Sequence, residues 1–286
     1  MTMSTTPEYT VRSMSREEID LAVDWAAAEG WNPGLEDAEC FYQADPEGFL
    51  VGLMNDEPVA CISVVRYGSS FGFLGFYIVK PEFRGRGLGL EIWNAGLQRL
   101  DGRVVGLDGV VAQQENYRKS GFTLAYRNIR YMGVSSGSRD SFADAVPLST
   151  IPFDELAAYD QEFFPDDRRA FLQCWTSREE SRAFGIRQNG VLAGYGLIRP
   201  CRTGYKIGPL FADNPDLAET LFRALECSVP EGSPIFLDIP EVNPAALELV
   251  QRHGMSVVFE TARMYKGTAP QLPVTRIFGV TTFELG

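Results

Sequence analysis

Apolar positions along the 286-residue chain fall into short continuous runs and segments of helical period. The run Phe-Leu-Gly-Phe-Tyr-Ile-Val over 73–79 predicts a buried strand, which Lys80-Pro81-Glu82-Phe83 ends. From Leu88 onward, Trp93, Leu97 and Leu100 recur at helical spacing, predicting a helix over 89–100. Upstream, the pattern predicts a strand near Tyr9–Ser13, helices within 16–29 and 37–43, and a hairpin over 49–67. Downstream it predicts a strand over 104–111, a helix near 114–120 and closing strands to Met132. Strands alternating with helices imply an α/β (α+β) layer arrangement around a mixed, mostly antiparallel sheet.

The joint between the 73–79 strand and the next helix carries the first chemical signal. Arg84-Gly85-Arg86-Gly87-Leu88-Gly89 places glycines, two cations and a helix start together. The first N–H groups of a helix have no partner inside it, and the positive end of its dipole favours an anion. A pyrophosphate suits such a loop. Gly-Lys-Ser/Thr is absent, which excludes the P-loop, and Arg-x-x-Gly-x-Gly is not the dinucleotide spacing.

The stretch from Val79 to Gly89 resembles the acetyl-CoA-binding motif of the GNAT acetyltransferase superfamily. Farther on, Tyr117-Arg118-Lys119-Ser120-Gly121-Phe122 resembles that family's Tyr-x-x-x-Gly-Phe ending. The resemblance implies that acetyl-CoA lies along Tyr77, Ile78 and Val79, with its pyrophosphate on Arg84, Gly85, Arg86, Gly87, Leu88 and Gly89. It also implies that Tyr117 protonates the departing thiolate. A phenol near ~10 and a thiol near ~8.5 make that transfer roughly balanced. Family members often carry a glutamate base on the strand before the loop, but 73–79 contains none. Gly109 stands where an asparagine is common. Asp108 is the nearest carboxylate in sequence: it either orients or deprotonates an ammonium, or caps a strand kink before Gly109. Glu36, Asp37 and Glu39 fall where acceptor-binding helices lie in the family, so Glu36 and Asp37 either line a cation-friendly acceptor pocket or form a solvated helix face, and Trp31 either walls that pocket or packs in the core.

The two halves of the chain repeat. Leu107-Asp108, Gly121-Phe122 and Arg130 are answered by Leu237-Asp238, Gly254-Met255 and Arg263. This predicts tandem GNAT-like domains: a catalytic one over 1–133, a linker over 134–145, and a degenerate one over 146–286. Ile207-Gly208-Pro209 through Asn214-Pro215 replaces the phosphate loop in the second copy, and Val250 replaces the tyrosine. The closing Phe283-Glu284-Leu285-Gly286 resembles a bacterial tandem subgroup.

Net charge is −12, spread evenly over both halves, which disfavours nucleic acid and mildly favours cationic acceptors. Five cysteines without metal-ligand spacing read as reduced thiols of a cytoplasmic protein; one histidine argues against a metal site. No apolar stretch approaches a membrane span, and Met1–Thr6 lacks a signal-peptide pattern. Together these readings point to an N-acyltransferase that moves acetyl from acetyl-CoA to a small primary amine by direct attack, as a possible homodimer. The alternatives are a non-catalytic CoA-binding or sensing module and a protein N-acetyltransferase.

Overall fold

The first half follows the hydrophobic pattern: β1 (Tyr9–Ser13), α1 (Arg16–Ala28), α2 (Asp37–Ala44), β2 (Phe49–Met54), β3 (Glu57–Tyr67), β4 (Phe71–Val79), α3 (Leu88–Arg99), β5 (Val104–Val110), α4 (Gln114–Lys119) and β6 (Phe122–Val134). These elements come from a computed structural model that describes residues 8–137, 142 and 144–286. The N-terminal Met1–Thr6 and residues 138–141 and 143 of the expected linker lie outside the described residues. Local chemistry accounts for several boundaries. Ser15 and Glu18 form a capping box that starts α1, which then buries Ile19, Ala22, Val23 and Ala26 on one face. Asn55 and Asp56, both at positive φ, make the two-residue turn between β2 and β3.

The second half repeats the plan with β7 (Ala145–Pro147), α5 (Phe153–Asp160), α6 (Arg169–Ser177), β8 (Arg182–Gln188), β9 (Val191–Pro200), β10 (Tyr205–Ala212), α7 (Pro215–Glu226), β11 (Pro234–Pro240), α8 (Pro244–Arg252), β12 (Ser256–Lys266) and the short β13 (Ile277–Gly279). Asn189 and Gly190 turn β8 into β9, as the hairpin signal predicts.

The halves do not close separately. Among the described residues all strands join one sheet, in the order β1-β2-β3-β4-β5-β12-β6-β11-β10-β9-β8-β7, with β13 on β10. Each half's last long strand has crossed over: β12 lies between β5 and β6, and β6 pairs with β11. This exchange sets Arg263 opposite Asp108 and Arg130 opposite Asp238. Both pairs are bidentate and buried, at 2.5–3.0 Å and 2.6–2.7 Å. The repeated Asp and Arg of the sequence are thus two crossed ion pairs related by the molecule's internal symmetry.

A second seam joins α2 to the other half. Asp37 accepts from Arg199 Nε and Arg178 Nη1, both at 2.9 Å, and its side chain is fully buried. Cys40 of α2 and Cys174 of α6 form a disulfide, while Cys61, Cys201 and Cys227 are in no disulfide. The expectation of five reduced thiols is corrected at this pair. Residues 134 apart in sequence meet because α2 packs on α6.

Candidate active site

The parallel pairing of β4 with β5 covers only Phe71–Leu74 against Val104–Leu107. Beyond Leu74 and Leu107 the two strands part. A bulge bends β4 there: its register on β3 shifts between Cys61 and Ser63, and Phe76 adopts φ 47°. The wedge that opens is a cavity of about 520 Å³. Gly75 to Val79 form one wall, Asp108 to Val110 another, and Tyr117 lies at the side.

The predicted loop closes one end. Gly87, at φ 85°, is the N-cap of α3 and no side chain caps the first turn; Leu90 N–H closes back on the Gly87 carbonyl at 2.9 Å, which leaves the N–H groups of Leu88 and Gly89 uncapped. A Cβ at Gly85 or Gly87 would meet nothing within 4 Å, so the space before the helix is open. Arg84 donates to the Val79 carbonyl at 2.8 Å and pairs with Glu29 at 2.5 Å. Its guanidinium is therefore fixed at the rim, half exposed. Open N–H donors, a helix dipole and a fixed cation fit the diphosphate of an acyl-CoA.

Tyr117 is buried, with its ring stacked on Trp93 at 5.6 Å. Burial first, then the neighbouring Tyr77, pushes its hydroxyl up to about 12. Gly109 makes room for it, since a Cβ there would stand 2.2 Å from the Tyr117 ring. An asparagine at 109 would collide with this tyrosine. Asp108 reaches the cavity wall, but its carboxylate is taken by Arg263 and by Asn128 at 2.8 Å. Its geometry is that of a strut between β5 and β12.

Of the residues singled out from sequence, Trp31, Tyr77, Ile78, Val79, Arg84, Gly85, Gly87, Gly89, Asp108 and Tyr117 come together around this cavity. Arg86 lies over the Phe83 ring, and Leu88 packs beneath the loop with Met54 and Val59; neither lines the cavity. Asp37 is a buried anchor to Arg199 and Arg178, not a wall of an acceptor pocket; burial opposes its charge, yet the two guanidiniums hold it down at about 2. Glu36 is exposed away from the cavity, and Glu39 pairs on the surface with Arg16 at 2.7 Å. A further part of the cavity is built from the second half: Phe259 and Thr261 of β12 and Phe283 and Glu284 of the C-terminal tail. Their proximity follows from the strand exchange, which no local pattern announces.

The matching place in the second half is closed. β10 and β11 pair over Tyr205–Ile207 and Ile235–Leu237 and then part, but β13 fills the gap against Leu210 and Phe211. Asn214 caps α7 by accepting from Leu217 N, and Pro215 removes one donor. Neither an open wedge nor a free helix N-terminus remains there.

Two family models match, one for each half: the Acetyltransferase (GNAT) family over residues 11–122 and an Acetyltransferase (GNAT) domain over residues 156–279. The chain is 35% identical to holothin acyltransferase of Pseudoalteromonas sp. over 97% of its length and 95% of that protein's. A Pyrococcus horikoshii protein described as an acetyltransferase superposes with a TM-score of 0.83 at 25% identity, covering 100% of this chain and 99% of that one. A tandem GNAT protein from the clavulanic acid biosynthesis pathway shares the fold, with a TM-score of 0.62 at 16% identity, covering 92% of this chain and 100% of that one.

Proposed function

The chain belongs to the GNAT acetyltransferase family, and on that premise we propose that it transfers an acetyl group from acetyl-CoA to a small primary amine. The observation that carries this reading is the open wedge between β4 and β5, with the uncapped start of α3 at one end and the Tyr117 hydroxyl beside it. When bound, acetyl-CoA supplies an activated thioester. The N–H groups at Gly85, Gly87 and the first turn of α3, with Arg84, would hold its phosphates. The exposed edge of β4 from Gly75 to Val79 would receive the pantetheine amides as a further strand does.

Tyr117 keeps its proton in this setting. Its hydroxyl is a weaker acid than an ordinary phenol, so it donates only as negative charge grows on the leaving sulfur. Direct attack by the amine is supported by the lining, which among the described residues contains no cysteine or serine. Cys61, behind β4, donates a hydrogen bond from its thiol to the Phe76 carbonyl at 3.1 Å, and burial pushes that thiol up. A small acceptor is supported by the aromatic walls that Trp31, Phe259 and Phe283 set around the far end. A relative named as a holothin acyltransferase agrees with acyl transfer as the reaction.

Calorimetry with acetyl-CoA should give one site per chain, and Gly87→Glu, which puts a carboxylate where the phosphates sit, should abolish it. Two equivalent sites, or unchanged binding in the variant, would contradict the assignment.

A further inference from the structure

Three carboxylates line the cavity among the described residues: Glu29, Asp108 and Glu284. Glu29 is spent on Arg84 and Asp108 on Arg263. Glu284 is different. It is 4% exposed, and its Oε2 is buried without a hydrogen-bond partner. No lysine or arginine nitrogen among the described residues comes within ion-pair distance of it. A buried carboxylate oxygen left so is costly, and such a cost calls for a partner that the described residues do not supply.

The tail that carries Glu284 is firmly seated. Thr282 Oγ1 accepts from the backbone N–H of Glu284 and Leu285 at 3.1 and 2.8 Å. The Tyr67 hydroxyl donates to the Leu285 carbonyl at 3.1 Å, and Arg168 Nη1 donates to the Gly286 carbonyl at 3.4 Å. The Glu284 backbone presses on β4 at Gly75, where a Cβ would come within 2.2 Å of the Glu284 carbonyl oxygen. The side chain thus enters the wedge beside the strand that has no carboxylate of its own. Three cations feel its charge: Arg130, Arg199 and Lys206. Arg130 and Arg199 are committed to Asp238 and Asp37, and Lys206 donates to the Asn32 carbonyl at 2.8 Å. None of the three forms an ion pair with Glu284.

We propose that Glu284, delivered to the first half's cleft by the C-terminal tail, is the carboxylate that receives the acceptor's ammonium group and removes its proton. The role rests on the acyltransferase reading above. The ammonium gives one proton to Glu284, which passes it to solvent. The neutral nitrogen then forms the C–N bond at the thioester carbonyl, and the C–S bond breaks with its electron pair going to sulfur. Sulfur takes the Tyr117 proton, and the second nitrogen proton restores the tyrosine. The products are the amide, free thiol and one proton in solution.

The test compares the wild-type chain with Glu284→Gln and Glu284→Asp, using propylamine, phenethylamine, tryptamine and holothin as probes. Glu284→Gln should bind acetyl-CoA as the wild type does and melt within a few degrees of it. Its kcat/KM should fall by roughly 10²–10⁴-fold. The wild type's rise of rate from acid pH should flatten, and calorimetric binding of phenethylamine to the CoA-loaded protein should weaken at least about tenfold. Glu284→Asp should restore the acid limb and part of the rate. Unchanged rate, profile and amine affinity in Glu284→Gln would overturn the role. So would losses in both variants that merely track the folded fraction. A wild-type chain that binds acetyl-CoA but acylates none of the probes overturns the amine-transfer reading, and this role with it.

Discussion

Tyr117 shows how much a single residue owes to its neighbours. On sequence alone its hydroxyl is an ordinary phenol, closely matched to a thiol. Packed on Trp93 and against the space left by Gly109, it is raised to about 12. It therefore remains protonated throughout the working range, and its ionisation sets no alkaline limit below about pH 10. Replacing Tyr117 with phenylalanine should lower turnover by about 10²–10⁴-fold while acetyl-CoA affinity stays nearly unchanged, because the donated proton matters only as charge develops on sulfur. Stopped-flow rates and calorimetry on both proteins decide this. A wild-type alkaline limb between about pH 8 and 10 that vanishes in the variant would show instead that the buried hydroxyl titrates as an exposed one does.

At the scale of elements, α2 is an example of sequence reasoning reaching the right helix and the wrong face. Asp37 is the first residue of α2 and carries the charge expected of a cation pocket. Its carboxylate points away from the cleft, into Arg199 and Arg178 of the other half. Asp37→Asn should cost about 3–5 kcal/mol in denaturant unfolding, since it strands two buried guanidiniums. The pH dependence has a definite sign. The folded carboxyl titrates at about 2, below its unfolded value, so the stabilisation is complete above roughly pH 4 and is lost as pH falls through 2. That component amounts to about 2 kcal/mol and should be missing from the acid limb of the variant's stability curve.

On the scale of the whole molecule, the exchange of β6 and β12 makes the halves interdependent. Without the second half, the first half loses β12 from beside β5 and both neighbours of β6, β12 and β11, and it loses the walls Phe259, Phe283 and Glu284. Residues 1–137 expressed alone should therefore be aggregated or unfolded by circular dichroism, and co-expression with residues 138–286 should recover a soluble complex that binds acetyl-CoA. A folded, CoA-binding fragment would mean that β6 can close its own half. The second half has turned its own wedge into structure by laying β13 in it, and the tail that follows β13 runs on to furnish the working cleft of the first.

The elements of the first half, the glycine loop before α3 and the place of Tyr117 beside it were legible because each is encoded over a few neighbouring residues. Apolar period, glycine spacing and helix-start chemistry act locally, and 73–79 followed by 84–89 carries all three. The internal repeat was legible too, down to the Asp and Arg of each copy. What those residues do was decided only by tertiary structure. Whether Arg263 meets Asp238 or Asp108 depends on which sheet gap receives β12, and both choices satisfy the same alternating pattern. The same holds for Cys40 with Cys174, for Asp37 with Arg199, and for Glu284, which lies more than 200 residues from the strand it abuts. A local code specifies strands, turns and caps. It does not specify which distant carboxylate will be left unpaired beside an open cleft, because that is settled when the chain's last residues pack against its first domain.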